Sequence, residues 1–188
     1  MSDAKRARFE AEVLVHLRAA YNAAYRLTRN PDDSRDLSQE ALLRAYRTFD
    51  NYAEGTNARA WLLTIVYSVF VNTYHRSRRA PEHVSIDDLE ASYAREPVAP
   101  EPAPVDPFIG PWSEPEVAAA VSELPVLFRA TVLLVDVDGL SYEEAATALE
   151  CAVGTVRSRL FRGRRVLAAA LGAFARRRGL ISERTESA

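Results

Sequence analysis

The sequence is poor in cysteine and contains no long apolar run. Cys151 is the one cysteine among 188 residues, so the chain cannot form an internal disulfide. No apolar stretch approaches the roughly 20 residues that a membrane-spanning helix needs. The first residues, MSDAKRARFEAEV, also lack the apolar core of a secretion signal. We therefore expect a soluble, cytoplasmic protein that does not insert directly into a membrane.

The residue patterns of common catalytic and metal sites are missing as well. His16, His75 and His83 are scattered and have no cysteine or carboxylate neighbours at ligand spacing, which argues against a metal site. No nucleophile, base and orienting group occur at usable spacing, and there is no phosphate-binding loop. Cys151 is interpreted as a small buried side chain in a turn rather than as a redox sensor. We expect no enzymatic activity, no catalytic residue, no metal and no cofactor.

Proline and charge are distributed unevenly and divide the chain. Eight of the ten prolines lie in the segment from Pro81 to Pro115, which contains one basic residue and eight acidic residues. Proline lacks the amide donor of a regular helix, so this segment is predicted to be an extended, acidic linker. Its acidity hides a basic region, because the segment from Cys151 to Arg178 holds eight arginines and no carboxylate. Such a local basic surface is what phosphate binding requires.

Both flanks of the linker predict helices, since they lack strand-like alternation and glycine-rich hairpins. Stop and cap signals mark the breaks, including the turn before Asn57 and the Ser141-x-x-Glu144 capping box. The fold class expected is all-α, with two small helical domains joined by the Pro-rich acidic linker and a helix-turn-helix in the second. The predicted helices span residues 6–29, 33–51, 57–79, 116–123, 125–136, 141–149 and 153–176.

The last predicted helix has the pattern of a DNA-recognition helix. If Val156 and Leu160 point inward, helical geometry turns a polar and basic set outward or to the flanks. Arginine can pair with guanine through two hydrogen bonds, and its neighbours can contact phosphate. The alternative is a solvated basic face. The predicted set is Thr155, Arg157, Ser158, Phe161, Arg162 and Arg165.

Here the chain resembles a known family, the extracytoplasmic-function (ECF) sigma factors of bacterial RNA polymerase. Residues 135–146 (VDVDGLSYEEAA) and 153–160 (VGTVRSRL) look like the promoter-reading carboxy-terminal domain of that family. Asn30-Pro31, residues 36–40 (DLSQE) and residues 55–62 (GTNARAWL) resemble its amino-terminal domain. The resemblance implies sigma region 2 at residues 1–80, a flexible linker at 81–115, sigma region 4 at 116–178 and a frayed tail at 179–188.

The resemblance also implies roles for individual residues. One helical face carries Asp36, Gln39 and Glu40, and the resemblance implies that this face docks on the β′ coiled coil of core RNA polymerase. Without the resemblance, the same residues would be interpreted as a solvated acidic face. For Trp61 the sequence leaves two roles open, a core position and stacking on DNA. At Ser68 and Asn72 the predicted helix 57–79 differs from the residues that typical members of the family carry. The residues expected to contact the minus-10 element are Asn51, Tyr52, Thr56, Asn57, Arg59, Trp61 and Arg76.

The function expected from this resemblance is that of a sigma factor. Such a subunit binds core RNA polymerase and directs it to promoter DNA through the minus-10 and minus-35 elements. The family also implies an anti-sigma factor as a partner. The alternative is a helix-turn-helix transcriptional regulator whose N-terminal helical domain senses a ligand or dimerises.

Overall fold

The computed structural model describes residues 3–78 and 114–181, which form two helical units. Unit 1 contains four α-helices, with 3-10 turns at Leu14–His16 and Phe49–Asn51. All regular elements in the described ranges are helical, so the predicted all-α class is confirmed. The helices of unit 1 are α1 (Asp3–Glu12), α2 (Leu17–Thr28), α3 (Pro31–Thr48) and α4 (Ala58–Arg78).

The starts of α3 and α4 are fixed by side-chain caps that the sequence signals. The Asn30 side chain accepts hydrogen bonds from the backbone N–H groups of Asp32 (2.8 Å) and Asp33 (3.1 Å), with proline at the first helical position. Asn57 Oδ1 likewise accepts from the Ala60 N–H at 3.0 Å. Each cap satisfies amide donors that have no partner inside the helix. The predicted cap at Asn57 is therefore confirmed.

The prediction of one helix across residues 6–29 is wrong, because the chain turns at Leu14–His16 between α1 and α2. Phe9, Val13 and Ala20 are all buried and keep the spacing of a single helical face across this break. The spacing of the apolar residues alone therefore does not reveal the turn between α1 and α2.

Unit 2 contains four helices and a π-helical turn. The turn, at Leu133–Val137, continues α6, so the predicted helix 125–136 divides into an α and a π segment. Ser141 caps α7, and the Glu144 side chain bonds back to the Ser141 N–H at 2.8 Å, which confirms the capping box. The helices are α5 (Pro115–Ser122), α6 (Val126–Val132), α7 (Tyr142–Ala148) and α8 (Val153–Arg177).

Helix α8 packs closely on α6 at Gly163. A Cβ atom at this glycine would lie 2.8 Å from Val132 Cγ2 and 3.6 Å from Phe128 Cβ, so the absence of a side chain sets the distance between the helices. Val156, Leu160 and Leu167 are buried along the same face of α8, as the sequence predicts. Gly163 and this apolar face fix the rotation of α8 and decide which of its residues reach the surface.

The two units contact each other through α4 with α7 and through α2 with α6. Most of the predicted linker, residues 81–113, lies outside the described residues. Pro115, its last predicted residue, is the first residue of α5. The end of the chain is described as far as Ile181, which is exposed.

Candidate nucleic-acid interface

The outward face of α8 carries most of the predicted minus-35 set at the surface. Arg157, Ser158, Phe161, Arg162 and Arg165 are exposed, and Thr155 is half-buried on the flank. Phe161 is 68% exposed. The guanidinium of Arg157 lies 5.9 Å from the centre of the Tyr142 ring on α7. The face combines cations, a hydroxyl and an apolar ring on one exposed helix.

Two arginines of the basic segment are engaged within unit 2. Arg159 is 7% exposed, and its Nη1 lies 3.7 Å from Cys151 Sγ. Arg164 donates two hydrogen bonds to Asp136, at 3.0 Å and 2.5 Å, and this raises the pKa of the Arg164 guanidinium above its ordinary value. Both hold α8 against the elements before it. Arg157, Arg162 and Arg165 are exposed on the middle of the helix.

The end of α8 is tied to α5 by two further ion pairs. Arg177 bonds Glu116 and Arg178 bonds Glu114, each at 2.7 Å. These pairs are exposed, so each contributes up to about 1 kcal/mol to stability. They make the last basic turn part of the packing of unit 2.

The predicted polymerase-binding residues lie together on α3. Asp36, Gln39 and Glu40 are all exposed. Asp36 and Glu40 also border a groove of about 470 Å³ between α3 and α4, which Gln39 does not line. A third carboxylate, that of Asp33, also lines the groove, and the other lining residues are apolar or neutral polar groups: Thr28, Leu37, Val69, Phe70, Thr73, Tyr74 and Ser77. An acidic rim above a partly apolar floor fits a basic, amphipathic helix.

Tyr52 does not have the exposure expected of a base-stacking residue. Its side chain is 5% exposed, and its ring lies parallel to Phe49 at 5.5 Å and 5.0 Å from Trp61. The Tyr52 hydroxyl donates to the Thr56 carbonyl at 2.7 Å. In this conformation Tyr52 is a core residue that shapes the loop before α4.

Trp61, which the sequence leaves open, belongs to the same aromatic cluster. It is half-buried, and its ring lies 6.2 Å from Phe49 as well as close to Tyr52. The cluster continues to Phe9, whose ring meets Phe49 edge-on at 5.2 Å. In this conformation Trp61 packs mainly against protein and supports the loop of residues 51–57.

The remaining minus-10 residues divide between the surface and a contact with unit 2. Asn51, Thr56, Asn57 and Arg76 are exposed. The structure therefore gathers Asn51, Thr56 and Asn57 on one polar loop, supported by the aromatic cluster, while Arg76 lies far along α4. Arg59, in the first turn of α4, instead points to Asp138 of unit 2.

Asp138 forms a buried polar cluster with three residues of unit 1. Its side chain is 2% exposed and accepts from Arg26 Nη2 at 2.6 Å and from the Tyr67 hydroxyl at 2.7 Å. Arg59 Nη1 donates to the Asp138 carbonyl at 3.0 Å, and Arg59 Nη2 lies 3.4 Å from the carboxylate. Burial and the Asp138 carboxylate raise the pKa of Tyr67 well above its ordinary value, so the phenol keeps its proton and donates it. We call these four residues the Asp138 cluster.

Sequence reasoning missed the Asp138 cluster. Its members lie 71 to 112 positions away from Asp138, and no spacing rule links them. The local backbone shows one sign of the cluster, a π-helical turn in which the Asp138 N–H donates to the Leu133 carbonyl at 2.9 Å. Turns of this kind often mark functional sites. That turn is not visible in the sequence pattern.

Two negative observations apply to residues 3–78 and 114–181. There, no three His, Cys, Asp or Glu residues are grouped so as to hold a metal ion. None of the helices described in these ranges is long and apolar enough to cross a membrane.

Comparison with known proteins gives two family matches in order along the chain. Residues 13–80 match the model of sigma-70 region 2, and residues 115–167 match that of sigma-70 region 4. The ECF RNA polymerase sigma factor SigE of Mycolicibacterium smegmatis is 38% identical over 155 residues, which cover 82% of this chain and 58% of that protein. The chain thus spans little more than half the length of this relative.

Two further relatives match over larger shares of their own length. The ECF RNA polymerase sigma factor EcfG of Rhodopseudomonas palustris is 37% identical over 148 residues, covering 79% of this chain and 76% of that protein. The solved complex of the sigma factor RpoE with the anti-sigma factor NepR from Bartonella quintana contains a similar chain. It has a TM-score of 0.64 and 30% identity, and the match covers 88% of this chain and 97% of that one.

Proposed function

The chain belongs to the ECF sigma factors of the sigma-70 family, and from this membership we propose that it binds core RNA polymerase and directs it to promoter DNA. The observation that carries the proposal is the ordered pair of family matches, one on each helical unit. In this assignment residues 1–80 are region 2, residues 81–115 the linker, residues 116–178 region 4 and residues 179–188 the tail. The protein acts in the cytoplasm as a specificity subunit without an enzymatic step of its own.

The acidic rim of α3 supports polymerase binding by region 2. Asp36 and Glu40 border the groove between α3 and α4, and Gln39 stands beside them on the exposed face. Carboxylates in such a position can accept the two parallel hydrogen bonds of an arginine, and the apolar floor can bury its helix. The partner surface proposed is the basic β′ coiled coil.

The exposed face of α8 supports recognition of the minus-35 element by region 4. Ser158 and Arg162 are proposed to contact base edges, whereas Arg165 is proposed to contact phosphate. Thr155, Arg157 and Phe161 complete the surface that would enter the major groove. The proposed surface leaves out Arg164, Arg177 and Arg178, because each of them forms an ion pair inside unit 2.

The polar loop before α4 supports recognition of the minus-10 element. Asn51, Thr56 and Asn57 offer amide and hydroxyl groups at the surface, and the aromatic cluster beneath holds the loop in shape. Arg59 and Arg76 supply cations along α4 for backbone phosphates. Trp61 contributes by supporting the loop.

An anti-sigma factor is proposed as a further partner. The sigma factor RpoE was solved in complex with the anti-sigma factor NepR, and the match to that structure covers 88% of this chain. A regulator of that kind would cover surfaces that polymerase or DNA needs.

The rival function, a helix-turn-helix regulator with an N-terminal sensing or dimerisation domain, has less support. It explains unit 2 equally well, but the match of residues 13–80 to sigma-70 region 2 is unexpected for it.

Transcription in vitro tests the proposal. The purified chain is mixed with core polymerase and a pool of genomic fragments, and the transcripts are sequenced. We expect start sites that share a minus-10 and a minus-35 element and that disappear when Arg157, Arg162 and Arg165 are replaced together by alanine. A chain that binds DNA but never supports initiation would favour the rival function.

A further inference from the structure

Helix α1 lies outside the part of the chain that matches sigma-70 region 2, yet it packs against the segment that leads into the minus-10 loop. By that name we mean residues 51–57, the polar loop before α4. Helix α1 ends at Glu12, and the family match begins at residue 13. Its side chains nevertheless reach the end of α3, the 3-10 turn Phe49–Asn51 and Tyr52. The family match alone therefore assigns no role to α1.

One face of α1 turns toward residues 46–52, and this face is mainly polar. The buried and half-buried positions of the helix follow the spacing of a single helical face and are Lys5, Arg8, Phe9 and Glu12. Phe9 is the one apolar side chain of α1 that is larger than alanine. A helix that only completes a core would carry apolar residues along the whole of its buried face. This face instead brings two cations and one ring to residues 46–52.

Arg8 places its guanidinium over the aromatic cluster. Its Cζ lies 4.9 Å from the centre of the Phe49 ring and 5.9 Å from the centre of the Tyr52 ring, within the range of cation–π attraction. Arg8 Nε donates to Glu12 at 2.8 Å, which fixes the side chain along α1. Arg8 Nη2 is buried and has no hydrogen-bond partner among the described residues, so the rings take the place of water there. The guanidinium therefore holds Phe49 and Tyr52 against α1.

Lys5 and Phe9 add contacts from the same face of α1. Lys5 Nζ bonds Asp50 Oδ2 at 2.6 Å, in the turn just before the minus-10 loop. The Phe9 ring meets the rings of Phe49 and Tyr46 edge-on, at 5.2 Å and 5.0 Å. Because Asp50 is exposed, its ion pair contributes little, and the contacts of the rings carry most of the attachment.

The attached rings support the groups that the minus-10 loop presents. The Tyr52 ring stacks on Phe49, and its hydroxyl donates to the Thr56 carbonyl at 2.7 Å. Thr56 in turn donates to the Ala53 carbonyl, from its N–H at 3.2 Å and from its hydroxyl at 2.7 Å. A displacement of Tyr52 would therefore move the backbone that carries the exposed Thr56 and Asn57. Through Tyr52, α1 influences the arrangement of the polar groups at the surface.

We propose that Arg8 is a positioning residue for recognition of the minus-10 element, because it holds the aromatic cluster so that the polar groups of the minus-10 loop face DNA in one arrangement. Lys5 and Phe9 assist it, so α1 belongs to the DNA-reading part of unit 1. The attachment of the loop to α1 rests on the contacts alone, while its role in reading DNA rests on the proposed function. Loss of Arg8 should spare the docking face on α3 and the recognition face on α8, since neither of these surfaces includes α1.

Hydrogen exchange of the free, full-length protein tests the attachment without polymerase or DNA. A cation–π contact at a partly exposed site shifts an equilibrium by about two- to fivefold. Arg8→Gln should therefore make the amides of residues 50–60 exchange about three- to tenfold faster through local opening, while the amides of α8 keep their wild-type rates. Arg8→Lys should restore part of the protection, because an ammonium keeps a charge near the rings but lacks the planar fork of arginine.

Arg6→Gln is the matched control, since Arg6 forms the same kind of ion pair on α1, with Glu10 at 2.8 Å, on the exposed face of the helix. It should leave exchange in the minus-10 loop at the wild-type rate. Unchanged exchange of residues 50–60 in Arg8→Gln would overturn the attachment. Equal acceleration throughout unit 1 would mean that Arg8 supports the fold in general, and it would overturn the positioning role as well.

Promoter opening by holoenzyme tests the role in reading DNA. On promoters mutated singly in the minus-10 element, Arg8→Gln should reduce opening, detected by permanganate, by about three- to tenfold and reduce the difference between matched and mutated promoters. Affinity for core polymerase should stay at the wild-type value, and Arg6→Gln should behave as wild type in both assays.

The salt dependence of promoter binding separates positioning from direct contact. The slope of log affinity against log salt should be the same in Arg8→Gln and wild type, whereas a slope reduced by about one would make Arg8 a phosphate contact and overturn the positioning role. Faster exchange in the loop together with normal opening and normal base preference would overturn the role in reading DNA. If wild-type holoenzyme opens no promoter, the proposed function fails, and the exchange rates still decide the attachment.

Discussion

Gly163 provides a quantitative test of how α8 is positioned. A Cβ at Gly163 would lie 2.8 Å from Val132 Cγ2, and Val132 is fully buried on α6. A β-branched side chain has little rotamer freedom with which to move away. We expect Gly163→Ala to cost about 1–3 kcal/mol through overpacking, offset by about 1 kcal/mol of better helix propensity. The net effect is destabilisation by up to about 2 kcal/mol.

Gly172, on the same helix, is the matched control. A Cβ there would lie 3.9 Å from the nearest atoms, which belong to the Arg176 guanidinium, so alanine fits. Gly172→Ala should gain up to about 1 kcal/mol from propensity alone. The two variants should then differ by about 1–3 kcal/mol, or about 1 M in urea midpoint, in unfolding followed by circular dichroism.

Equal stabilities of Gly163→Ala and Gly172→Ala would refute overpacking at Gly163. Its functional consequence can be measured separately. Moving α8 away from α6 would shift the recognition face, so Gly163→Ala should lose activity at promoters that depend on a minus-35 element. Gly172→Ala should keep that activity.

Three further predictions concern the binding faces and a helix cap. Glu40→Arg should weaken core polymerase binding in a pull-down without unfolding the protein, whereas Glu10→Arg, an exposed carboxylate on α1, should not; equal affinities would reject the docking role. The arginines of α8 can be compared in holoenzyme on promoters mutated singly in the minus-35 element. Arg162→Ala should cost about 1–3 kcal/mol of binding free energy and relax the preference at one base pair. Arg165→Ala should weaken binding to all promoters alike and reduce the slope of log affinity against log salt by about one. Uniform loss for Arg162→Ala would reassign it to phosphate. Ser141→Ala should destabilise the protein by about 1 kcal/mol in urea unfolding through loss of the capping box, and an unchanged midpoint would contradict that role.

Local chemistry made much of the fold predictable. A helix cap needs a particular side chain within three residues of the amide that it satisfies, so the starts of α4 and α7 could be predicted from Asn57, Ser141 and Glu144. The buried face of α8 was equally accessible, since Val156 and Leu160 recur at helical spacing. In both cases the determining interactions lie within one or two turns of the chain.

The errors arise where the determining interaction is not local. Tyr52 fits the composition of a DNA contact, but the rings of Phe49 and Trp61 pack against it and its hydroxyl donates to the loop carbonyl of Thr56. Arg159 and Arg164 belong to the basic segment by sequence, yet Cys151 and Asp136 hold them within unit 2. The number of arginines in the segment therefore does not reveal which guanidinium groups are held within unit 2.

Ser68 and Asn72 connect the sequence pattern to the contact between the two units. They are the positions where α4 departs from the residues typical of the family, and both approach Glu150 of unit 2 in this structure. A departure from a family pattern thus coincides with a contact that only the three-dimensional arrangement reveals. The sequence pattern alone showed that these positions differ and gave no partner for them.

Arg59 shows how a motif and a resting structure can assign the same side chain to different partners without conflict. The motif predicts a cation next to a nucleic-acid backbone, and the structure places the same cation against the carbonyl and carboxylate of Asp138. Both partners present oxygen acceptors, one a phosphate and the other a carboxylate with its own carbonyl. The guanidinium has five N–H donors, and the two contacts with Asp138 use Nη1 and Nη2, so a proposed phosphate contact of Arg59 would draw on its remaining donors.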